Sequence, residues 1–231
     1  MSARVVHLTI EYKPVKIAFD TYRMLFFKKE VFTMPPKIKT SYEDIIREAI
    51  AIVREQGIDF VNARSLAARL SCSIQPIFRT FGTMEDLKAA TYKRAEEMYS
   101  MTMMESMKNS GEAFLALGLA YVNFAKTETN LFRLLFMSNA FNQGSAANIA
   151  GSTTGDDEVI ASICQTTGLN ASKAQELYTG LWFTTHGIAS LLATNSCTLT
   201  DAEVKRVLSN AFEGGLHALK EKGACEYENH L

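Results

Sequence analysis

The sequence predicts an all-α protein: a small N-terminal three-helix unit, then a larger helical unit behind it. Three observations carry that prediction. From Ser41 onward apolar residues recur at helical spacing. No stretch alternates with the period of a strand. Three short segments between Ser41 and Gly82 each begin at a capping residue and end at a glycine or a tight turn.

The first helix is the clearest. Tyr42, Ile45, Ile46, Ala49, Ile50 and Val53 form one apolar stripe, Ser41 and Asp44 offer a cap, and Gly57 supplies a stop. Asn62 caps a second helix of about nine residues with apolar positions Ala63, Leu66, Ala67 and Leu70; the small Ala67 lets another helix cross closely. In SIQPIFRTF, Ser73 is the expected cap of a third. Pro76 then falls in the first turn, where a missing N–H costs nothing. Two short helices joined by a tight turn and braced by a longer one form the helix-turn-helix geometry.

Further helices are expected over KAATYKRAEEMYSMTMMESM, EAFLALGLAYVNFAKTE, NLFRLLFMSNAF, EVIASICQTTG, SKAQELYTGLWFTTHGIASLLATN and TDAEVKRVLSNAFEGGLHALKEK. GSAANIAGSTTGDD reads as a loop. The resulting division is an extension at 1–36, a helix-turn-helix domain at 37–90, a helical domain at 91–223 and a tail at 224–231.

Composition limits the function. With 231 residues, 47% hydrophobic and 21% charged, the chain has enough length to bury one large core or two small ones. Cys72, Cys164, Cys197 and Cys225 form no C-x-x-C pair, so neither a zinc site nor a disulfide framework is expected, and a reducing cytoplasm is the expected compartment. No apolar run reaches the roughly 18 residues that span a bilayer, so no membrane partner is expected. The net charge of −1 hides an asymmetry: +3 over residues 1–36, +3 over 37–94 and −7 over the rest. A polyanion would meet the front of the chain, although scattered solvated charge explains +3 equally well.

The stretch IIREAIAIVREQGIDFVNARSLAARLSCSIQPIFRTFGTMEDLKAA resembles the N-terminal DNA-binding domain of the TetR family of transcriptional regulators. The likeness runs over roughly fifty residues: Gly57 ending a helix, Leu66-Ala67 in the second helix, and Phe81 before Thr83-x-Glu85-Asp86-Leu87. It implies a third helix in the major groove, with Ser73, Ile74, Gln75 and Ile77 near its start and Phe78, Arg79 and Thr80 on its next turn. Gln75 is the expected base reader, able to pair bidentately with adenine; the alternative is a phosphate contact. Asn62 and Arg64, then Thr83 and Lys88, are placed to hold phosphates, while Ile77 and Phe81 also read as core. Three positions depart from the family's pattern. Phe78 replaces a common tyrosine, Thr80 a frequent histidine and Met84 the usual lysine, which implies fewer phosphate contacts and a shallower salt dependence.

GLWFTTHGIASLL is similar to a Trp, His-Gly signature of one TetR C-terminal domain class, here Trp182, His186 and Gly187. The resemblance implies a small apolar or amphipathic effector, with Met104, Tyr121, Phe124, Phe136, Trp182 and His186 as candidate lining. His186 reads either as a polar group in a cavity or as a buried histidine satisfied by a neighbour. A homodimer is expected through the last two helices, with Leu181, Ile188, Leu191, Val204, Leu208, Ala211 and Gly215 in the seam. The reading is therefore a homodimeric repressor of an operator in double-stranded DNA.

Two rivals belong to other classes. A helical enzyme or metal carrier needs clustered titratable groups, yet the chain has four histidines, no H-E-x-x-H, no phosphate-binding glycine loop and no nucleophile elbow. No catalytic residue, metal or cofactor is therefore expected. The second rival is an all-α protein-interaction or ligand-binding module without specific DNA binding. Residues 1–33 match nothing in the family, and MPPKIKTSYEDII offers an alternative start at Met34; Lys29-Glu30-Val31 permits codons that spell a ribosome-binding sequence. A disordered basic arm on DNA is the other reading of this extension.

Overall fold

The structure, a computed structural model, describes residues 40–108, 113–138 and 156–228, and every regular element in them is helical. In chain order these are α1 (Tyr42–Gln56), a 3-10 turn (Ile58–Phe60), α2 (Ala63–Arg69), α3 (Gln75–Phe81), α4 (Met84–Lys108), α5 (Ala113–Thr127), α6 (Thr129–Phe136), α7 (Asp156–Thr167), α8 (Ala171–Ala193) and α9 (Asp201–Glu228). The all-α class is thus the observed one. The extension with its expected start at Met34 lies outside the described residues, as does most of the loop-like stretch after residue 143. Helix α9 continues to Glu228, into the stretch set apart as a tail. The GACEYE run offers no apolar stripe to read, but Ala and Glu sustain a helix by propensity.

Reciprocal caps fix where three helices begin. The Ser41 hydroxyl accepts from Asp44 N while Asp44 Oδ2 accepts from Ser41 N, both at 3.1 Å. The Ser41 hydroxyl also donates to Asp44 Oδ2 at 2.6 Å; this bond first, then those from Ser41 N and Arg47, hold the Asp44 carboxyl down at about 2. Thr83 and Asp86 repeat the box at α4, and Thr200 and Glu203 at α9. Helix α3 differs. Its N-cap is Ile74, with no side-chain cap bond, so Ser73 does not cap it and Pro76 at the first turn supplies the pre-set φ instead.

Backbone geometry then sets the directions of α2 and α3. Helix α2 closes in a Schellman turn: Cys72 N donates to Ala67 O at 3.0 Å and Ser71 N to Ala68 O at 3.3 Å, with Ser71 at φ +50°. At the far end of α3, Gly82 has φ +75° and ψ −65° and Thr83 N donates to Phe81 O at 2.8 Å, a γ-turn that a side chain at this position would strain. That turn sets the direction of α3 relative to α4.

One hydrophobic cluster runs through both halves of the molecule. It includes Ile45, Ile52 and Val53 of α1, Leu66 of α2, Ile77 of α3, Leu87, Ala95 and Tyr99 of α4, Phe124 of α5, Phe132 of α6, Ile188 of α8 and Leu208 of α9. On α4 the buried positions Leu87, Thr91, Ala95, Tyr99 and Met103 fall every fourth residue, the spacing of one helix face. A second cluster of Val159, Ile163, Leu177, Tyr178, Leu181 and Leu219 joins α7, α8 and α9. Among the described residues no helix is long and apolar enough to cross a membrane.

Candidate nucleic-acid interface and effector region

Helix α3 divides its residues cleanly. Ile77 is 1% exposed and Phe81 9%, Phe81 packing on Tyr42 with ring centroids 5.1 Å apart. Ser73, Ile74, Gln75, Phe78, Arg79 and Thr80 are exposed. Of the two readings of Ile77, base contact and core, its burial supports the core and removes it from the base contacts. It lies four residues before Phe81, so the two share the inward face. Thr80 turns its hydroxyl proton back to Pro76 O at 2.9 Å.

The flanking anchors are local caps first. Asn62 Oδ1 accepts from Arg64 N at 3.1 Å and Ser65 N at 3.0 Å, and its Nδ2 donates to Phe60 O at 3.1 Å. That amide is spent on holding α2. The Thr83 hydroxyl likewise donates to Asp86 Oδ2 at 2.6 Å.

Among the described residues, some cations of this unit are paired and others, such as Lys93, are not. Arg47 pairs with Asp44, Arg69 with Glu55, Arg94 with Glu43 and Arg54 with Glu128. Arg64, Arg79 and Lys88, on the side of α2, α3 and the start of α4, form no ion pair among the described residues. Positive charge left uncompensated beside an exposed recognition helix is what a polyanion requires.

The candidate effector residues also divide. Tyr121, Phe124, Phe136, Trp182 and His186 assemble with Tyr99 and Phe132 into an aromatic group drawn from α4, α5, α6 and α8. Trp182 stacks on His186 with centroids 4.8 Å apart and planes 6° from parallel. Met104 stands apart, 39% exposed on α4, while Met103 is the buried neighbour. Tyr99 was absent from the sequence-based set; its place in the every-fourth-residue series on α4 is the signal that marks it.

His186 has partners on both ring nitrogens. Tyr121 Oη lies 2.9 Å from Nδ1 and Ser190 Oγ 3.3 Å from Nε2. Burial raises the Tyr121 hydroxyl pKa, keeping it a donor, and lowers that of the imidazole. The ring faces Tyr121 on α5, Phe132 and Phe136 on α6, and Trp182 and Ser190 on its own helix, none of them charged. The unfolded chain therefore takes up this proton first, near pH 6.5. Stability should be full above that pH and fall as pH drops through it. Urea midpoints measured from pH 7.5 to 5.5 should decline for the wild type and decline less for His186→Gln.

The expected dimer seam is corrected most. Leu181, Ile188, Val204 and Leu208 are 2%, 8%, 1% and 0% exposed within the single chain. They pack inside the protomer, where a Cβ on Gly118 of α5 would stand 3.0 Å from Leu208 Cδ1. Ala211 and Gly215 are half-buried and line a 310 Å³ groove between α8 and α9 with Gly180, Thr184 and Ala218. Leu191 alone of the set is largely exposed, at 49%, in a stripe with Gly180, Phe183 and Gly187.

Among the described residues Cys72, Cys164 and Cys197 are free thiols, and no group of three or more His, Cys, Asp or Glu gathers to hold a metal. No curated protein sequence matches the chain. Residues 114–213, from α5 into α9 and including Trp182, His186 and Gly187, match a family described as tetracyclin repressor-like, C-terminal domain. The C-terminal helices are thus of the TetR-repressor kind, and they stand behind the three short helices α1 to α3.

Proposed function

We propose that the protein is a repressor that binds a palindromic operator as a homodimer in the cytoplasm and is released by a small apolar or amphipathic effector. The observation that carries this reading is the recognition face itself. Gln75, Phe78 and Arg79 project outward, and Arg64, Arg79 and Lys88 beside them lack carboxylate partners among the described residues. Gln75 reads a base, and Arg64 and Lys88 hold phosphates. Phe78, Thr80 and Met84 contribute no charge, so the salt dependence is shallow for the family.

Effector binding falls to the aromatic group around Tyr121 and His186, whose uncharged polar pair suits a neutral ligand with one hydrogen-bonding group. The second copy docks on the exposed stripe of α8, with Phe183 and Leu191 as apolar knobs beside the α8–α9 groove.

A gel-shift series on a duplex selected by the wild-type protein tests the DNA assignment. Gln75→Ala should cost about 1–3 kcal/mol at one base of each half-site and relax the preference there, whereas Lys88→Ala should weaken all sequences alike. An unchanged preference at every base for Gln75→Ala would remove Gln75 as a reader. Binding with no sequence preference in the wild type would favour the interaction-module reading.

A further inference from the structure

Helix α6 is only eight residues long, yet it caps the C-terminal ends of two helices that belong to different halves of the molecule. Asn130 Nδ2 donates to Arg54 O at 2.9 Å, a carbonyl in the last turn of α1. One turn on, Arg133 donates from Nε and Nη2 to Ala193 O, at 3.1 and 2.5 Å, the last carbonyl of α8. Both acceptors are among the carbonyls that a helix end leaves without an intrahelical partner, and both sit at the negative end of a helix dipole. The α8 terminus is otherwise closed by its own Schellman turn, in which Asn195 N donates to Leu192 O and Ser196 N to Leu191 O; that pattern leaves Ala193 O to Arg133.

The two caps are joined. Arg133 Nη1 donates to Asn130 Oδ1 at 3.3 Å, and at the start of α6 Glu128 takes the Arg54 guanidinium bidentately, Nε to Oε2 at 2.8 Å and Nη2 to Oε1 at 2.6 Å. A continuous polar chain thus runs from Ala193, seven residues beyond His186 on the same helix, to the last turn of α1. Helix α1 is also gripped at its first turn, where Glu43 accepts from Arg94 of α4 at 2.9 Å. The helix that braces the recognition unit is therefore held at one end by α4 and at the other by α6.

We propose that Glu128, Asn130 and Arg133 are positioning residues for DNA binding: together they form a strap that fixes α1, and with it the recognition helix, to the end of α8. The strap rests on the regulator reading above and adds to it a second connection beside α4. Its consequence is geometric. It sets where the recognition helix stands relative to its copy in the dimer and leaves the chemistry of each half-site contact untouched.

The test uses the full-length protein and two duplexes, a palindrome selected from random DNA by the wild type and the same DNA with one half-site scrambled. Glu128→Gln and Arg133→Gln should each raise Kd for the palindrome by about tenfold while changing Kd for the single half-site less than about twofold. Retained half-site binding shows that the variants are folded. Exchanging the charges, Arg54→Glu with Glu128→Arg, should recover most of the palindrome affinity. Equal losses on both duplexes, no loss on either, or no recovery on charge exchange would overturn the strap. A wild type that does not distinguish the palindrome from the half-site would instead overturn the dimeric regulator reading, and the strap with it.

Discussion

Leu208→Glu is expected to unfold the C-terminal helices, whereas Phe183→Glu should give a folded monomer. Leu208 is fully buried against α5, so truncation to alanine alone should cost about 2–5 kcal/mol. A carboxylate in its place adds the desolvation of an unpaired charge, several kcal/mol more, and would exceed much of a typical domain's stability. Phe183 is 48% exposed on the opposite side of α8, where a glutamate is solvated in the single chain and unfavourable only against a second copy. Circular dichroism with light scattering separates the two cases. A folded Leu208→Glu monomer would return that residue to the seam, and a stable Phe183→Glu dimer would move the seam elsewhere.

Phe132→Ala should lower stability by about 3–5 kcal/mol, which for a chain of this length means a loss of roughly 10 °C in Tm. The ring is fully buried and meets Tyr121 edge-on at 5.6 Å, Phe136 at 5.1 Å and His186 at 6.0 Å. Its removal opens a cavity beside the polar pair. A change in Tm of only a degree or two would show that the neighbouring rings close the gap.

Local physics made much of this legible from the residues. Caps at Ser41 and Asn62, the stop at Gly57 and Pro76 in a first turn are decided within a few residues, and the helices stand where they place them. Apolar period was a weaker guide to partners. The stripes through Leu181, Ile188, Val204 and Leu208 correctly announce burial, but periodicity cannot say whether the covering surface belongs to the same chain or to another, and here α5 covers Leu208. Ile77 carries two readings, groove contact and core, and its burial favours the second, one residue's rotation separating the two faces. The aromatic group and the caps on α6 depend on contacts across 60 residues or more, as between Arg133 and Ala193 or Tyr121 and His186, and no short motif encodes them.

The uninterrupted hydrophobic cluster bears on how such a protein can be recombined. Ile45, Ile52 and Leu66 of the first three helices share one core with Tyr99, Phe124 and Leu131 behind them, so the seam between the helix-turn-helix unit and the C-terminal helices is itself packed interior. A graft of residues 40–83 onto a relative's C-terminal helices would carry half of a jigsaw, leaving voids or clashes where α4 and α6 should fit. Specificity in this chain is therefore inherited as a matched pair. If α3 reads DNA as proposed, changing its outward side chains should alter the preferred sequence, whereas exchanging the module that bears them should disrupt the shared core.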